Sequence, residues 1–178
     1  MKKFLFLILT LFILTACGNF EIGNTPSRKV EDYLNKYQTL DKEVIDDLKT
    51  TLINETTIKE EEKNDYLNFM KKHYRDLTYQ IKDQTIDGDN ATVTVEITVR
   101  DYSKVINDAN NYKNNNPDKF SKDPLNLFST YRLEELQKVK DTITYTLNLT
   151  LKKINNKWVL NQLSNEELNK INGLYQEV

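Results

Sequence analysis

Asn90-Ala91-Thr92-Val93-Thr94-Val95-Glu96-Ile97-Thr98-Val99-Arg100 alternates small or branched apolar residues with polar ones along its whole length. Successive side chains of a strand point to opposite faces, so this pattern predicts a half-buried β-strand with Ala91, Val93, Val95, Ile97 and Val99 turned inward. A second, longer alternation lies downstream: Ile143, Tyr145, Leu147, Leu149 and Leu151, again with polar residues between. Each run has a hairpin signal beside it. Asp87-Gly88-Asp89-Asn90 joins the first to a strand bearing Leu77, Tyr79 and Ile81, and Asn155-Asn156 joins the second to Trp158 and Leu160. Asn tolerates positive φ, so Asn155-Asn156 suits a two-residue turn that sets Leu151 opposite Leu160 and Lys153 opposite Trp158. In the first hairpin, closing the turn with Ile86 opposite Ala91 would put Ile81 opposite Glu96. Agreement of the apolar faces therefore calls for a bulge between Lys82 and Thr85, expected to set Ile81 against Ile97 and Tyr79 against Val99.

Outward from these strands the period changes to that of a helix. Thr25-Pro26 is a cap followed by proline, and Val30, Tyr33, Leu34, Tyr37 and Leu40 recur behind it at helical spacing. A break is expected near Gln38 to Asp41, with Asp41 capping a segment that carries Val44, Ile45, Leu48 and Leu52. Thr57-Ile58-Lys59-Glu60 reads as a capping box for a helix bearing Tyr66, Phe69, Met70, Tyr74 and Leu77. Ser103 to Asn115 continues helical with Val105, Ile106, Ala109 and Tyr112, and Asp118 to Lys122 reads as loop. Asp123-Pro124 starts a helix to about Lys138 with Leu125, Phe128, Leu133 and Leu136. Ser164-Asn165-Glu166-Glu167 is a second capping box, for a short helix holding Leu168 and Ile171 that ends at Gly173. Two antiparallel hairpins with helices on one apolar face define an α+β domain over residues 25–178.

The N-terminus reads as an export signal. Met1-Lys2-Lys3 is basic, and Phe4 to Leu14 is apolar but for Thr10. The run is shorter than the ~20 residues that span a bilayer. Leu14-Thr15-Ala16-Cys17 resembles the lipobox of bacterial lipoproteins. The resemblance implies cleavage after residue 16 and a diacylglyceryl group on the Cys17 sulfur, which would anchor the chain on the extracytoplasmic face of the cell membrane. Residues 17–24 would then form a lipidated tether. Cys17 is the only cysteine. Once it is alkylated, disulfide, thiolate and zinc-thiolate chemistry are closed to the domain. Loss of Lys2 and Lys3 takes the formal net charge from −2 to −4, a balance that argues against nucleic acid as a partner.

Thr25-Pro26-Ser27-Arg28-Lys29-Val30-Glu31-Asp32-Tyr33-Leu34, Asp87-Gly88-Asp89-Asn90-Ala91-Thr92-Val93 and Asn156-Lys157-Trp158-Val159-Leu160 resemble uncharacterised bacterial lipoproteins. Their domains look like members of the nuclear-transport-factor-2-like superfamily. That resemblance implies a curved antiparallel sheet wrapped around helices as a cone with a cavity. It does not imply one activity, because the superfamily holds enzymes, ligand binders and assembly modules.

No catalytic, metal or cofactor motif stands out. His73, the only histidine, sits beside Lys71, Lys72 and Arg75, bordering the Tyr74 face or solvated. Asp87-Gly88-Asp89-Asn90 lacks the length and distal glutamate of a calcium loop. Glu60-Glu61-Glu62 reads as a solvated helix start. Asn54, Asn90 and Asn148 head glycosylation-type triplets, as expected by chance in a chain so rich in Asn and Thr. Tyr33, Tyr37, Tyr79, Tyr102, Tyr131 and Tyr145 are the candidate lining of a pocket for a small amphipathic ligand, against the plainer reading that they fill the core. The leading expectation is a non-catalytic ligand- or protein-binding module held at the membrane. The alternatives are an isomerase- or dehydratase-like cavity enzyme and a structural envelope protein dimerising through its sheet. The enzyme would need an acid at the cone mouth, with Asp83, Asp101, Asp141 and Glu96 as candidates and Lys153 at a strand end.

Overall fold

The structure is a computed structural model that describes residues 23–176. The export segment, the Leu14–Cys17 motif and most of the tether lie outside the described residues. Among the described residues the chain is α+β: seven α-helices and one four-stranded antiparallel sheet of order β1-β2-β3-β4. The strands are β1 (Thr78–Asp87), β2 (Asn90–Arg100), β3 (Thr142–Ile154) and β4 (Lys157–Leu160). The helices are α1 (Pro26–Gln38), α2 (Lys42–Asn54), α3 (Lys63–Asp76), α4 (Ser103–Asn115), α5 (Pro117–Phe120), α6 (Pro124–Lys138) and α7 (Asn165–Ile171).

The β2–β3 ladder is the centre of the fold. Val93 lies opposite Leu149, Val95 opposite Leu147 and Ile97 opposite Tyr145. All six face inward and are buried, with Val30 and Leu34 of α1 and Ile171 of α7 packed over them. Fully burying one such aliphatic side chain contributes ~1.5–3 kcal/mol. The outer face is polar and hydrogen-bonded across the strands, Thr94 to Asn148 at 2.9 Å and Thr98 to Thr144 at 2.8 Å. A sheet solvated on one side needs this alternation, which is why the pattern is legible along the sequence.

Asn155 and Asn156 adopt φ of 49° and 64°, and Leu151 pairs with Leu160 and Lys153 with Trp158, the expected register. In the β1–β2 hairpin the bulge is present but lies at Lys82, with the extra residue on β1. Ile81 therefore pairs with Val95 and Tyr79 with Ile97, not with Ile97 and Val99. Either placement restores agreement of the faces. The edge strand takes the insertion because it has no second neighbour whose ladder would be disrupted.

Thr25, Asp41, Asp123 and Ser164 each cap a helix through their side chains, and Ser164 with Glu167 completes a capping box. The break after α1 turns on Leu40 at φ 55°, a left-handed conformation held by packing against the helical core. Three expectations are corrected. Thr57–Glu60 does not form a capping box: the Glu55 carboxylate accepts from the Thr57 N–H at 2.8 Å and hydroxyl at 2.7 Å. Ile58 is buried, and a single 3-10 turn, Glu60–Glu62, leads into α3. Asp118 to Lys122 is not all loop, because Phe120 is buried against Ala109 and Phe128 and that packing winds Pro117–Phe120 into a helical turn. Leu125, expected in the core, is exposed.

Gly173 couples the last helix to the sheet. Its φ is +68°, its carbonyl accepts the Tyr102 N–H at 2.9 Å, and a Cβ built on it would sit 2.0 Å from the Arg100 carbonyl oxygen. Gly173→Ala is therefore expected to destabilise the fold by about 2–4 kcal/mol, combining left-handed strain with a backbone clash. Urea denaturation of the two proteins measures this; a loss within error of zero would mean the Tyr102–Gly173 junction is not held in solution.

Candidate functional site

Helices α2, α3 and α6 bury their apolar stripes mainly away from the sheet, although α3 also meets β2. They pack on one another through a second cluster that includes Leu48, Leu52, Ile58, Tyr66, Tyr74, Leu133 and Leu136. Between this cluster and α1 a groove of about 580 Å³ remains open. Its apolar wall includes Val44, Leu48 and Leu52 of α2, Phe69 and Met70 of α3, and Leu168 and Leu174 near the C-terminus. Five tyrosines, Tyr33, Tyr37, Tyr66, Tyr74 and Tyr102, complete the lining, and no strand residue takes part. The volume lies in the range of sites for small organic molecules, which combine an apolar lining with a few placed polar groups.

The tyrosines are organised rather than loosely inserted. Tyr37 meets Tyr74 edge to face with ring centroids 4.9 Å apart, and Tyr33 meets Tyr37 the same way at 5.5 Å. The Tyr33 and Tyr37 hydroxyls share a hydrogen bond of 2.9 Å, and the Tyr74 hydroxyl donates to Asn172 Oδ1 at 3.1 Å. Burial pushes the phenols of Tyr33, Tyr37 and Tyr74 up from their ordinary value, and that of Tyr102 to about 12. All four are neutral at physiological pH and serve as hydrogen-bonding groups on an apolar surface.

At the α6 end the rim carries Arg132, which makes no salt bridge with a carboxylate among the described residues. Arg132 Nε donates to the Tyr66 hydroxyl at 3.2 Å and Nη2 to Thr57 Oγ1 at 3.5 Å. The Tyr66 hydroxyl in turn donates to the Ser129 carbonyl at 3.2 Å. Glu62 accepts from the Ser129 and Thr130 hydroxyls, tying the turn before α3 to α6. At the α1 end Lys36 is paired with Glu43 at 2.5 Å. The groove is apolar along its floor and polar at both ends.

Of the six tyrosines singled out from sequence, Tyr33, Tyr37 and Tyr102 line this groove. Tyr79 donates to Asn35 Oδ1 at 2.9 Å beside α1, Tyr145 packs against Tyr175 at 5.7 Å, and Tyr131 stacks on Tyr112 at 4.9 Å in the satellite cluster of α4, α5 and α6. Tyr66, Tyr74 and Arg132 were not singled out. Tyr66 and Tyr74 belong to the same helical stripe as Phe69 and Met70, so the signal was there. Nothing along the chain marks Arg132.

The acids expected at a cone mouth are not gathered. Asp83 and Asp141 are exposed. Asp101 accepts from the Ser103 N–H at 3.2 Å and its hydroxyl at 2.6 Å, and Glu96 pairs with Lys82 at 3.1 Å on the outer sheet face. Lys153 lies over the Trp158 ring at 5.6 Å. None of the five lines the groove. Among the described residues no three His, Cys, Asp or Glu side chains cluster as metal ligands, and no helix is long and apolar enough to cross a membrane.

His73 is 1 % exposed, a correction to its reading as a border or solvated residue. Its Nε2 donates to the Ile171 carbonyl at 2.8 Å, which leaves the neutral ring's Nδ1 as an acceptor without a partner. The ring stands between Tyr74 and Tyr102, at 5.7 and 5.1 Å. It borders a second, more polar cleft of about 660 Å³ crossed by the Asp76–Arg100 ion pair at 3.4 Å. Phe69, Tyr102 and Leu136 line both cavities.

Comparison with protein-family models, curated proteins and solved structures returns no match to this chain.

Burial lowers the His73 pKa below its ordinary 6.5, outweighing the Ile171 hydrogen bond and Asp76 that favour the cation. The unfolded chain then binds the proton more readily, so stability is intact above pH 6.5 and is lost progressively below it until the folded-state pKa is reached. His73→Gln keeps a donor for the Ile171 carbonyl and removes the titration. Denaturation midpoints from neutral to mildly acidic pH are expected to fall more steeply for the wild type than for this variant; parallel curves would show that His73 is not buried neutral.

Proposed function

We propose that this protein is a lipid-anchored extracytoplasmic binding module whose ligand is a small amphipathic molecule. The groove between α1 and the α2–α3–α6 cluster carries the reading. It offers an apolar floor, neutral phenols along one wall, and a guanidinium at one end held by Tyr66 and Thr57. Such a surface gains affinity by burying an apolar body, while the tyrosine hydroxyls and Arg132 select its polar head.

The anchor is supported by the basic start, the short apolar run and the single cysteine directly after Leu14-Thr15-Ala16. Two acyl chains on Cys17 supply the two membrane signals that stable attachment requires. Membership of the nuclear-transport-factor-2-like superfamily is likewise proposed, on the Thr25–Leu34, Asp87–Val93 and Asn156–Leu160 segments. An α+β architecture with helices on one face of an antiparallel sheet is compatible with it. A catalytic role is not proposed, since the candidate acids are solvated or hydrogen-bonded away from the groove.

Native mass spectrometry of the full chain purified from membranes tests the binding reading. A stoichiometric small-molecule adduct is expected. Val44→Glu, which sets a carboxylate on the apolar wall, is expected to lower its occupancy by about tenfold or more. A chain that is bare as purified, and stays bare when offered a long-chain fatty acid, overturns the ligand reading in favour of a protein partner.

A further inference from the structure

The tether meets the fold at one defined place. Asn24 donates through Nδ2 to the Asn156 carbonyl at 2.8 Å, and its Oδ1 accepts the Trp158 N–H at 3.1 Å. The chain is thereby clamped to the turn of the β3–β4 hairpin. Asn24 lies seven positions after Cys17, and that stretch reaches about 25 Å at full extension. A lipid on Cys17 would hold this end of the sheet close to the bilayer. The tyrosine groove begins about two turns further along α1, at Tyr33.

The hairpin has the chemistry such a position asks for. Lys152 lies opposite Val159 and Ile154 opposite Lys157, so two cations and two aliphatic side chains share the outer face of the tip. Ile154 is 50 % exposed and Val159 45 %, whereas the neighbouring outer rows of the sheet carry Thr92, Thr94, Thr146, Asn148 and Thr150. Neither Lys152 nor Lys157 belongs to an ion pair among the described residues. Asp89 of the β1–β2 turn is tied to the hairpin, its carbonyl accepting the Lys153 N–H at 2.7 Å, and the nearest acid in the same row is Asp87, paired with Asn90, which is itself paired with Lys152. It thus stands two strands away, about 10 Å, roughly one screening length at physiological salt.

We infer that the outer face of the β3–β4 hairpin tip is a membrane-contact surface that lies on anionic phospholipid and turns the groove away from the bilayer. Lys152 and Lys157 meet the head-group phosphates, Ile154 and Val159 enter the interfacial layer, and the long lysine stems keep their charges at the phosphate level. The inference rests on the lipid-anchored reading but not on the groove having a ligand.

Trp158, the only tryptophan, sits in this hairpin and reports on the contact. The full chain is reconstituted into vesicles of phosphatidylcholine alone or of an equal mixture with phosphatidylglycerol, each containing a lipid with a nitroxide on its head group. Trp158 emission is expected to fall about twofold further in the anionic vesicles. Lys152→Glu with Lys157→Glu is expected to abolish that difference, and Ile154→Ser to reduce it. Equal emission in the two vesicle types, or quenching unaffected by the charge reversals, overturns the contact. Intact mass of the same preparation keeps the two readings apart. An unacylated Cys17 overturns the anchored reading, whereas an acylated chain with no lipid-dependent quenching overturns the hairpin contact alone.

Discussion

Two alternating strands paired in register, with every apolar side chain on the same face, constitute the constraint from which the rest of this structure follows. Val93, Val95 and Ile97 against Leu149, Leu147 and Tyr145 make a continuous apolar sheet that water must not touch. Val30 and Leu34 of α1 and Ile171 of α7 lie over it, joined by Leu77 at the end of α3. Because these residues satisfy the inner face, the remaining helices bury their stripes elsewhere. They do so against one another, in a cluster built from α2, α3 and α6 and in a smaller one of α4, α5 and α6. The groove is the space between two cores, walled by helices and by no strand.

That arrangement explains the character of the site. Side chains at the seam face neither a fully dry interior nor bulk water, and tyrosine, apolar in body and polar at its tip, suits such a boundary. Tyr33, Tyr37 and Tyr74 run across the seam from α1 to α3, held edge to face and by their hydroxyls. Arg132 is oriented at the rim by hydrogen bonds to Tyr66 and Thr57, with the Glu55 carboxylate, itself bonded to Thr57, within reach of its charge. His73, on the far side of α3, ties that helix to the end of α7 through the Ile171 carbonyl. The wall of the groove and the cover of the sheet are therefore mechanically linked. A perturbation at His73 or Gly173 reaches both cores.

The groove and the point where the described chain joins the sheet lie at different places along α1 for a topological reason. Both hairpin turns lie at the end of the sheet where α1 begins, and Asn24 fastens the incoming chain there. Tyr33 and Tyr37 lie further along α1, beside the helices that follow it. A domain tethered at the turns would present its open cleft toward the surroundings rather than toward the lipid.

Much of this was legible along the chain. Period-two alternation, the Asn155-Asn156 turn, four helix caps and the Gly173 stop each depend on neighbours a few residues apart, and local rules specify them. The β3–β4 register followed from counting, since a two-residue turn leaves no freedom. The β1–β2 bulge was foreseeable because the faces had to agree. Its side and residue were not, since an extra residue on either strand satisfies the same apolar pattern. What only the tertiary structure decided is where separate stripes meet. The tyrosines of β1, β3 and α6 look no different in sequence from those of α1 and α3, yet strand packing and the satellite cluster carry Tyr79, Tyr145 and Tyr131 away from the groove. Phe120 winds a turn of helix where composition reads as loop, and burial of Ile58 displaces a capping box whose residues are all present. The tyrosines are sorted by contacts between distant segments, whereas Phe120 packs on Ala109 and Phe128 nearby in the chain and Glu55 takes the Thr57 N–H; each outweighs a local preference worth about 1 kcal/mol. The sequence by itself determined the elements and their inward faces, because those are periodic and local. Which faces pair, and hence where a groove is left open, was decided by packing among elements far apart in the chain.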